Sequence, residues 1–341
     1  MIKVVLDVMG GDNAPVELIK GGVLSVNKNK DLHIIMVGKQ DIINSQLLNY
    51  EYNKEQISII DAQDEITNDD VPTSAIRQKT ESSLVKTINE LRTNEEVVGM
   101  VSAGSTGAVL TGAFLKLGRL KGVSRPALCP ILPTVNGGIV SIIDCGANID
   151  SKPINLVHFA LMANAYLKNV YKIENPRVAL LNVGTEDHKG NELCKQVFPM
   201  LKELKDINFV GNMEARDLLS GNYDIVVTDA FAGNVLLKST EGAILGLLKM
   251  LKKEIKSSFS SKIGYLFMKK SFKNLKKTID YNEKGGAVLL GCKKLVVKSH
   301  GSSKATSIAE SINQVVEMHL ANVTSAISSA VENVDLEVEN D

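Results

Sequence analysis

The chain has 341 residues, of which 44% are hydrophobic, and this composition excludes a disordered or fibrous protein. The 39 basic and 39 acidic residues give a formal net charge of zero, so no overall positive field favours nucleic acid as a partner. The four cysteines form no CxxC pair, which argues against a disulfide framework and a zinc site and fits a cytoplasmic protein. Asp7 interrupts the N-terminal apolar run, and no apolar stretch reaches about 18 residues, so neither a signal peptide nor a membrane span is expected.

Short apolar runs alternate with segments of helical spacing along the chain. The runs predict strands at 2–8, 32–38, 57–62, 97–102, 138–144, 178–183, 224–228 and 295–298. Helical spacing is found at 74–91, 154–167 and 192–204. This alternation predicts an α/β fold, a Rossmann-like three-layer α/β/α sandwich with a mostly parallel sheet whose strands are buried on both faces.

The first apolar run ends in the stretch DVMGGDNAP, residues 7–15. Glycine permits a positive φ and a close approach to the backbone, and Pro15 suits the first turn of a helix. Two interpretations are open. The stretch is either a strand-to-helix turn with Asp12 or Asn13 as the N-cap, or a ligand-binding loop.

Similar polar, glycine-rich segments follow other predicted strands, at 102–108, 144–148, 182–190, 228–234 and 299–303. Ligands of open parallel sheets bind outside the carboxyl ends of the strands. Backbone N–H groups, hydroxyls and a lysine at these ends suit a phosphate. The motifs GxxxxGK[ST], GxGxxG, HExxH and GxSxG are absent, so the sequence indicates no P-loop, dinucleotide fingerprint, zinc peptidase or serine nucleophile.

A set of motifs resembles the bacterial phosphate acyltransferases of phospholipid synthesis. It comprises DVMGGD (7–12), SAGSTGA (102–108), RPAL (125–128), DCGAN (144–148), KGNEL (189–193), TDAFAGN (228–234), GGA (285–287) with LLG (289–291), and HGSS (300–303). The family usually has Ala at position 8, Asn at 105, Gly at 230 and Thr or Val at 232. This chain has Val8, Ser105, Ala230 and Ala232.

The resemblance implies transfer of a fatty acyl group from acyl carrier protein to inorganic phosphate, giving acyl phosphate. It also implies a fold related to isocitrate and isopropylmalate dehydrogenases, a homodimer, and neither a metal nor another cofactor. A thioester is already activated and phosphate is already a nucleophile, so the reaction needs positioning and oxyanion stabilisation rather than a covalent enzyme intermediate.

Three residues are expected to be catalytic. Lys189 neutralises the phosphate and Asn234 donates a hydrogen bond to the oxyanion or to phosphate, and the resemblance supports both roles. His300 either orients phosphate or protonates the departing thiolate. The alternatives are an exposed helix-start lysine, an N-cap asparagine and a structural histidine.

The polar loops supply the expected substrate- and phosphate-binding residues. Asp7, Asp12, Asp144 and Asp229 are expected to hold their loops through hydrogen bonds to backbone N–H groups and not to contact phosphate directly. The binding set comprises Gly10, Gly11, Asp12, Ser105, Thr106, Asn148, Gly233, Gly301 and Ser302.

The segment 249–277 contains ten lysines and one acid, Glu254, among bulky apolar residues. It predicts an amphipathic helical excursion at about 240–280 within a single domain 1–341, which ends in a disordered acidic tail at about 331–341. Three roles are open for these helices: they cover the sheet or a dimer seam, they dock the acidic carrier protein, or they attach peripherally to the anionic inner face of the cell membrane. At the membrane, a membrane-bound glycerol-3-phosphate acyltransferase would use the product. The expected membrane or carrier-protein contacts are Lys252, Lys253, Leu266, Phe267, Lys269 and Lys270.

Two other functions remain open. One is a nicotinamide-dependent dehydrogenase of related fold, for which the sequence offers no dinucleotide fingerprint. The other is a non-catalytic carrier-protein or membrane scaffold, which explains the lysine-rich segment but not the six polar strand ends.

Overall fold

Two β-sheets form the centre of the molecule in this computed structural model, which describes residues 1–279 and 285–332. The strands are β1 (Ile2–Asp7), β2 (Leu32–Gly38), β3 (Ile57–Asp61), β4 (Val97–Ser102), β5 (Ala127–Cys129), β6 (Ile131–Pro133), β7 (Ile139–Ile143), β8 (Arg177–Asn182), β9 (Asn208–Glu214), β10 (Ile225–Val227), β11 (Ala287–Leu290) and β12 (Leu295–Lys298). The first sheet has the order β3-β2-β1-β4-β12-β11-β5, and the second has the order β6-β7-β10-β8-β9. Antiparallel pairing is confined to β11 with β12 and β5, and to β6 with β7, whereas the other pairs of described strands are parallel.

Helices occupy most of the remaining described chain. They are α1 (Val16–Lys28), α2 (Gln40–Leu47), α3 (Pro72–Gln78), α4 (Ser83–Thr93), α5 (Thr106–Gly112), α6 (Pro153–Val170), α7 (Glu192–Glu203), α8 (Ala230–Ser257), α9 (Phe259–Ile279), α10 (Ala305–Leu320) and α11 (Val323–Glu332). None of the helices within the described ranges is both long enough and apolar enough to cross a bilayer.

Successive residues of the first sheet enter different apolar clusters. Val4 and Leu6 belong to a cluster that contains Leu18 of α1 and Ile308 of α10, whereas Val5 belongs to a second cluster with Ile88 of α4. Side chains alternate between the faces of a strand, so both faces of this sheet are covered by helices. The three-layer α/β/α prediction is therefore confirmed.

The chain passes from the first sheet to the second between β5 and β6, which only Pro130 separates. Proline has no N–H to donate to a sheet, so it suits a position where one strand ends and another begins. The carbonyls of Leu128 and Pro130 accept hydrogen bonds from Cys145 N, at 3.1 Å, and Ile142 N, at 3.3 Å. The path between the sheets is therefore bonded to β7 and the loop that follows it.

Every strand predicted from the sequence is present, but the single sheet that was expected is divided into two. The strands β5, β6, β9 and β11 were not predicted. The continuous helix expected at 74–91 is also wrong, because the chain turns between α3 and α4. There the side chain of Ser82 caps α4 by accepting a hydrogen bond from Val85 N at 3.4 Å.

The lysine-rich segment forms the end of α8 and most of α9. Leu266 is 67% exposed and Phe267 is 86% exposed, so this part of α9 does not cover the sheet within one subunit. That alternative is wrong for these two residues. The expected acidic tail lies outside the described residues except for Val331 and Glu332, which belong to α11 and not to a disordered segment.

Candidate active site

Three neighbouring strands of the first sheet end at the same level. Asp7 of β1 is in register with Ser102 of β4, and Ser102 is in register with Lys298 of β12. Both pairings are parallel, so the loops after these three strands emerge on one edge of the sheet. The polar segments at 7–15, 102–108 and 299–303 are therefore neighbours.

The buried carboxylate of Asp7 joins the first two of these loops. It accepts hydrogen bonds from Ser102 Oγ, at 2.7 Å, and from Met9 N, at 3.3 Å. Burial raises the pKa of Asp7 despite these bonds. A Cβ atom on Gly10 would lie 2.7 Å from Asp7 Oδ2 and from Gly104 N, so the loops can meet this closely only if residue 10 is glycine.

The loop that contains Asp12 and Asn13 is bonded to the segment after β12. Asp12 N donates to the carbonyl of Gly301 at 2.8 Å, and Asn13 Nδ2 donates to the carbonyl of Ser302 at 2.9 Å. Neither residue caps α1, because Pro15 occupies the N-cap position. The N-cap interpretation of DVMGGDNAP is therefore wrong, and the stretch is a loop that packs against the other polar strand ends.

His300 follows β12 and faces the same space. Its Nδ1 accepts a hydrogen bond from Ser302 N at 3.2 Å and lies 2.8 Å from Ser302 Oγ. With Nδ1 as an acceptor, the proton of the neutral ring is on Nε2. Desolvation and the nearby ammonium group of Lys238 lower the pKa of His300, so the ring is neutral at pH 7.

The second sheet contributes the loop after β7, which the buried carboxylate of Asp144 holds. This carboxylate accepts hydrogen bonds from the backbone N–H groups of Leu128, Ala147 and Asn148, at 2.9 to 3.1 Å. Burial raises the pKa of Asp144 despite these bonds. Asn148 Nδ2 donates to Asp144 Oδ2 and to the carbonyl of Pro126, each at 2.8 Å, so this amide supports the loop.

Helix α8 begins directly above the end of β7. Asp229 caps it by accepting a hydrogen bond from Ala232 N at 2.9 Å. A Cβ atom on Gly233 would lie 1.9 Å from the carbonyl oxygen of Asp144, so the helix rests on that carbonyl. Asn234 and Lys238 are four residues apart, so they share one face of the helix, and both line the space between the sheets.

Two adjoining cavities lie at these strand ends. The inter-sheet cavity has a volume of about 230 Å³ and is lined by residues of both sheets. Leu128, Pro130, Ile131 and Leu132 form an apolar wall, and Asn234 also lines the cavity. The loop cavity, of about 430 Å³, lies over the ends of β1 and β4. Four residues line both cavities, namely Thr106, Lys238, Lys298 and His300.

The sequence analysis missed Lys238 and Lys298. Lys298 is buried, and desolvation lowers its pKa to about 8. Lys238 forms an ion pair with Glu241, at 2.9 Å. Both could have been found: Lys298 is a lysine at the carboxyl end of an apolar strand, and Lys238 lies one helical turn beyond Asn234.

The structure brings most of the predicted residues together. Asn234, His300 and Thr106 line the inter-sheet cavity, and the loop cavity is lined by Thr106, His300 and four further predicted residues, which are Gly11, Asp12, Ser105 and Gly301. Gly10, Gly233, Asn148 and Ser302 do not line either cavity. The backbone-bonding role expected of the aspartates is found at Asp7, Asp144 and Asp229.

Lys189 lies apart from this group, in the loop after β8. Its carbonyl accepts a hydrogen bond from Asn182 Nδ2 at 3.0 Å, and its side chain lines neither the inter-sheet nor the loop cavity. The loop is held further by Asn212 Nδ2, which donates to the carbonyl of Glu186 at 2.8 Å. The role of Lys189 stays a prediction.

A third, apolar cavity of about 470 Å³ lies on the opposite side of the first turns of α8. Phe231, Val235 and Leu236 line it, together with Leu180 and Leu193. The start of α8 thus separates the inter-sheet cavity, which Asn234 lines, from this apolar cavity.

Comparison with known proteins identifies the relatives of this chain. Residues 2–326 match the model of a family described as fatty acid synthesis protein. The phosphate acyltransferase of Clostridium novyi (strain NT) is 46% identical over 331 residues, which cover 97% of this chain and 99% of that protein. The phosphate acyltransferase of Bacillus cereus (strain B4264) is 45% identical over 98% of this chain and 100% of that protein. Among solved structures, a branched-chain phosphotransacylase from Enterococcus faecalis V583 has the same fold, with a TM-score of 0.57 at 15% identity over 93% of this chain and 98% of that one.

Proposed function

The chain belongs to the fatty acid synthesis protein family, among the phosphate acyltransferases, and from this membership we propose that it transfers a fatty acyl group from the thioester of acyl carrier protein to inorganic phosphate. As a family member it is an acyltransferase. The observation that carries the proposal is the convergence of an amide, an imidazole and positively charged side chains on one cavity with an apolar wall. Such a cavity suits a reaction between an anion and an acyl group.

The proposed step needs no covalent intermediate on the enzyme. An oxygen of the phosphate dianion attacks the thioester carbonyl carbon, and a C–O bond forms. The tetrahedral oxyanion then collapses, the C–S bond breaks, and the proton of the hydrogen phosphate passes to the departing thiolate. The products are acyl phosphate and the free thiol of the carrier protein, so atoms and charge balance.

We assign Asn234 as the donor to the oxyanion or to phosphate, and Lys189 as a cation that neutralises phosphate. Asn234 is a neutral donor on the wall of the inter-sheet cavity, and a donor already held in place by a helix needs little reorganisation to stabilise a developing oxyanion. Only the family resemblance supports this role for Lys189. Because His300 is neutral at pH 7, we favour its role in orienting phosphate through Nε2–H over its role as an acid.

Incubation with palmitoyl–acyl carrier protein and phosphate, followed by mass spectrometry for acyl phosphate, tests the reaction. Formation of acyl phosphate that depends on both substrates supports the proposal. Its absence, combined with a fluorescence titration that detects NADH binding, would favour the dehydrogenase alternative. Absence of both activities would favour the scaffold alternative.

Single substitutions test the assigned residues. We expect Asn234→Ala to lower kcat by about 100- to 1000-fold, the usual loss when one oxyanion donor is removed. Lys189→Ala should raise the KM for phosphate, whereas Lys195→Ala, an exposed lysine of the nearby α7, should behave like wild type. Folded variants of Asn234 or Lys189 with wild-type kinetics would remove that residue from the mechanism.

The helix pair α8–α9 is proposed to attach the protein peripherally to an anionic membrane surface. Leu266 and Phe267 are exposed beside Lys269 and Lys270, and the segment 249–277 carries ten lysines against one acid. Each lysine near an anionic surface contributes about 1 kcal/mol. The acyl phosphate would then be released close to a membrane-bound glycerol-3-phosphate acyltransferase, at the inner face of the cell membrane.

Sedimentation with phosphatidylglycerol-containing vesicles tests this attachment. Binding should be present at low salt, weaken at 1 M salt, where the Debye length is about 3 Å, and weaken in Leu266→Ser/Phe267→Ser. Leu48→Ser is the matched control, because Leu48 is 88% exposed elsewhere. If the protein does not bind the vesicles at low salt, α8–α9 are better explained as the docking surface for acyl carrier protein or for the second subunit of a proposed homodimer. Analytical ultracentrifugation with and without carrier protein distinguishes these two.

A further inference from the structure

Lys298 is a buried positive charge with no carboxylate partner among the described residues. The residue is 7% exposed, and its Nζ donates to the carbonyls of Ala103, at 3.5 Å, and Ser299. Within residues 1–279 and 285–332, no carboxylate oxygen lies within 4.0 Å of Lys298 Nζ. Carbonyl dipoles offset only part of the cost of removing an ammonium group from water, so this position favours an anion.

No carboxylate pairs with Lys298 directly among the described residues, but Asp12 and Asp7 raise its pKa against the larger effect of desolvation, and Glu65 also lines the loop cavity. Lys238 is paired with Glu241, and the side chain of Glu241 is 11% exposed. Asp7 is bonded to Ser102 and has a raised pKa, and Asp12 lies in the loop cavity. His300 is neutral at pH 7.

Lys298 also occupies the place where the two cavities meet. It lines the inter-sheet cavity together with Asn234, and the loop cavity together with Asp12 and Ser105. Its backbone belongs to a central strand between β4 and β11, so its position is fixed by hydrogen bonds on both sides. An anion bound there would be held beside the amide of Asn234.

We propose that Lys298 binds the inorganic phosphate that attacks the acyl group, at the junction of the inter-sheet and loop cavities. This inference rests on the proposed function and adds to it a phosphate-binding residue on the first sheet. Lys238 is the second cation: its side chain is 56% exposed, so it can leave Glu241 and reach the bound phosphate. The acyl group then lies against the wall formed by Leu128 and Leu132, within the inter-sheet cavity.

Steady-state kinetics with both substrates varied provide the first test. Lys298→Met removes the charge and keeps the length of the side chain. It should raise the KM for phosphate by about 10- to 100-fold, the range expected when a hydrogen bond to a charged group is lost, and change the KM for acyl carrier protein by less than about 3-fold. Lys298→Arg should keep most of the phosphate affinity.

Lys294→Met is the matched control. Lys294 immediately precedes the same strand, and its Nζ also donates to a backbone carbonyl, that of Val97, at 3.0 Å. It lies at the amino end of β12, away from both cavities, so its substitution should leave the KM for phosphate unchanged.

Calorimetry with inorganic phosphate alone provides the second test, which needs no acyl donor. Burial lowers the pKa of Lys298 to about 8, so about half of these side chains are neutral at pH 8. Phosphate binding favours the ammonium form, so binding to the wild type at pH 8 should take up about half a proton, measured in buffers of different ionisation enthalpy. The uptake should fall toward zero at pH 6 once the ionisation of phosphate itself has been subtracted, and it should be lost in Lys298→Met.

The outcomes separate this inference from the proposed function. If the wild type forms acyl phosphate while folded Lys298→Met keeps the wild-type KM for phosphate, the role of Lys298 is overturned and the reaction stands. If phosphate binds with proton uptake at pH 8 but no acyl phosphate forms, the phosphate site stands and the proposed acyl donor fails. If Lys298→Met does not fold, Lys298→Arg decides: its guanidinium stays charged, so phosphate should still bind without proton uptake at pH 8, and uptake equal to that of the wild type overturns the site.

Discussion

Replacement of Gly233 by alanine tests whether the contact between α8 and β7 positions the active site. The new Cβ atom would lie 1.9 Å from the carbonyl oxygen of Asp144 and 2.8 Å from Thr228 Cγ2. Because the nearest obstacle is backbone, the start of α8 must move by about 1.1 Å even to reach a separation of 3.0 Å. Asn234 is the next residue of the helix and moves with it.

Two effects oppose each other in the stability of Gly233→Ala. Overpacking of a well-packed site costs about 1 to 3 kcal/mol, and the higher helix propensity of alanine returns up to about 1 kcal/mol. We therefore expect the free energy of unfolding, measured in urea, to fall by about 1 to 2 kcal/mol. A displacement of about 1 Å in an active site costs about 100-fold in rate, so kcat/KM should fall far more than the stability.

Gly242→Ala is the control for this prediction. Gly242 belongs to the same helix, and a Cβ atom there would meet nothing within 4 Å. This variant should be slightly more stable than wild type, by about 0.5 to 1 kcal/mol, and fully active. Wild-type kcat/KM in Gly233→Ala, or an equal loss in Gly242→Ala, would refute the reasoning.

Three further predictions concern single side chains. Burial lowers the pKa of His158 from 6.5 to about 4, so as the pH drops from 6.5 to 4 the unfolded chain takes up a proton before the folded chain does, and the folded state loses stability. In His158→Gln, the melting temperature should fall less over that pH range than it does in the wild type. Asn148→Ala removes hydrogen bonds to the carbonyl of Pro126 and to the buried Asp144 carboxylate, and urea unfolding should show a loss of about 1.5 to 3 kcal/mol. His300→Asn keeps a neutral donor, so the shape of the pH–rate profile should be preserved, and loss of one limb of that profile would instead support the acid role.

Strands buried on both faces were predictable from the sequence because their apolar runs are continuous. Residues 32–38 and 97–102 lie in the interior of the first sheet and were found with their bounds. The strand Asn208–Glu214 was missed because it lies at the edge of the second sheet and contains four polar or glycine residues. The strands Ala127–Cys129 and Ile131–Pro133 were missed because three residues are too few to show a period.

The site was predictable as far as strand ends and family motifs could locate it. The loops after β1, β4 and β12 do meet, as expected for parallel strands, and Asn234 and His300 share one cavity. Lys298 was counted as part of a strand, because a linear pattern does not show which side of an element faces a cavity. Lys238 lay outside every predicted element, just before the helical segment expected at about 240–280. The separation of Lys189 from this cavity depends on the conformation of the loop after β8, which no local pattern determines.

The order of the strands along the chain has a consequence for protein synthesis. The first sheet needs β11 and β12, but the second sheet and α8–α9 are encoded between β5 and β11. At about 5 to 20 residues per second, a ribosome takes roughly 10 to 30 seconds to pass from β5 to β11. During that time β4 is paired with β1 on one side only, and its other side is an open apolar edge. Nascent chains halted before residue 287 should therefore recruit chaperones and aggregate more readily than the released 341-residue chain, in which β12 and α10 cover that edge.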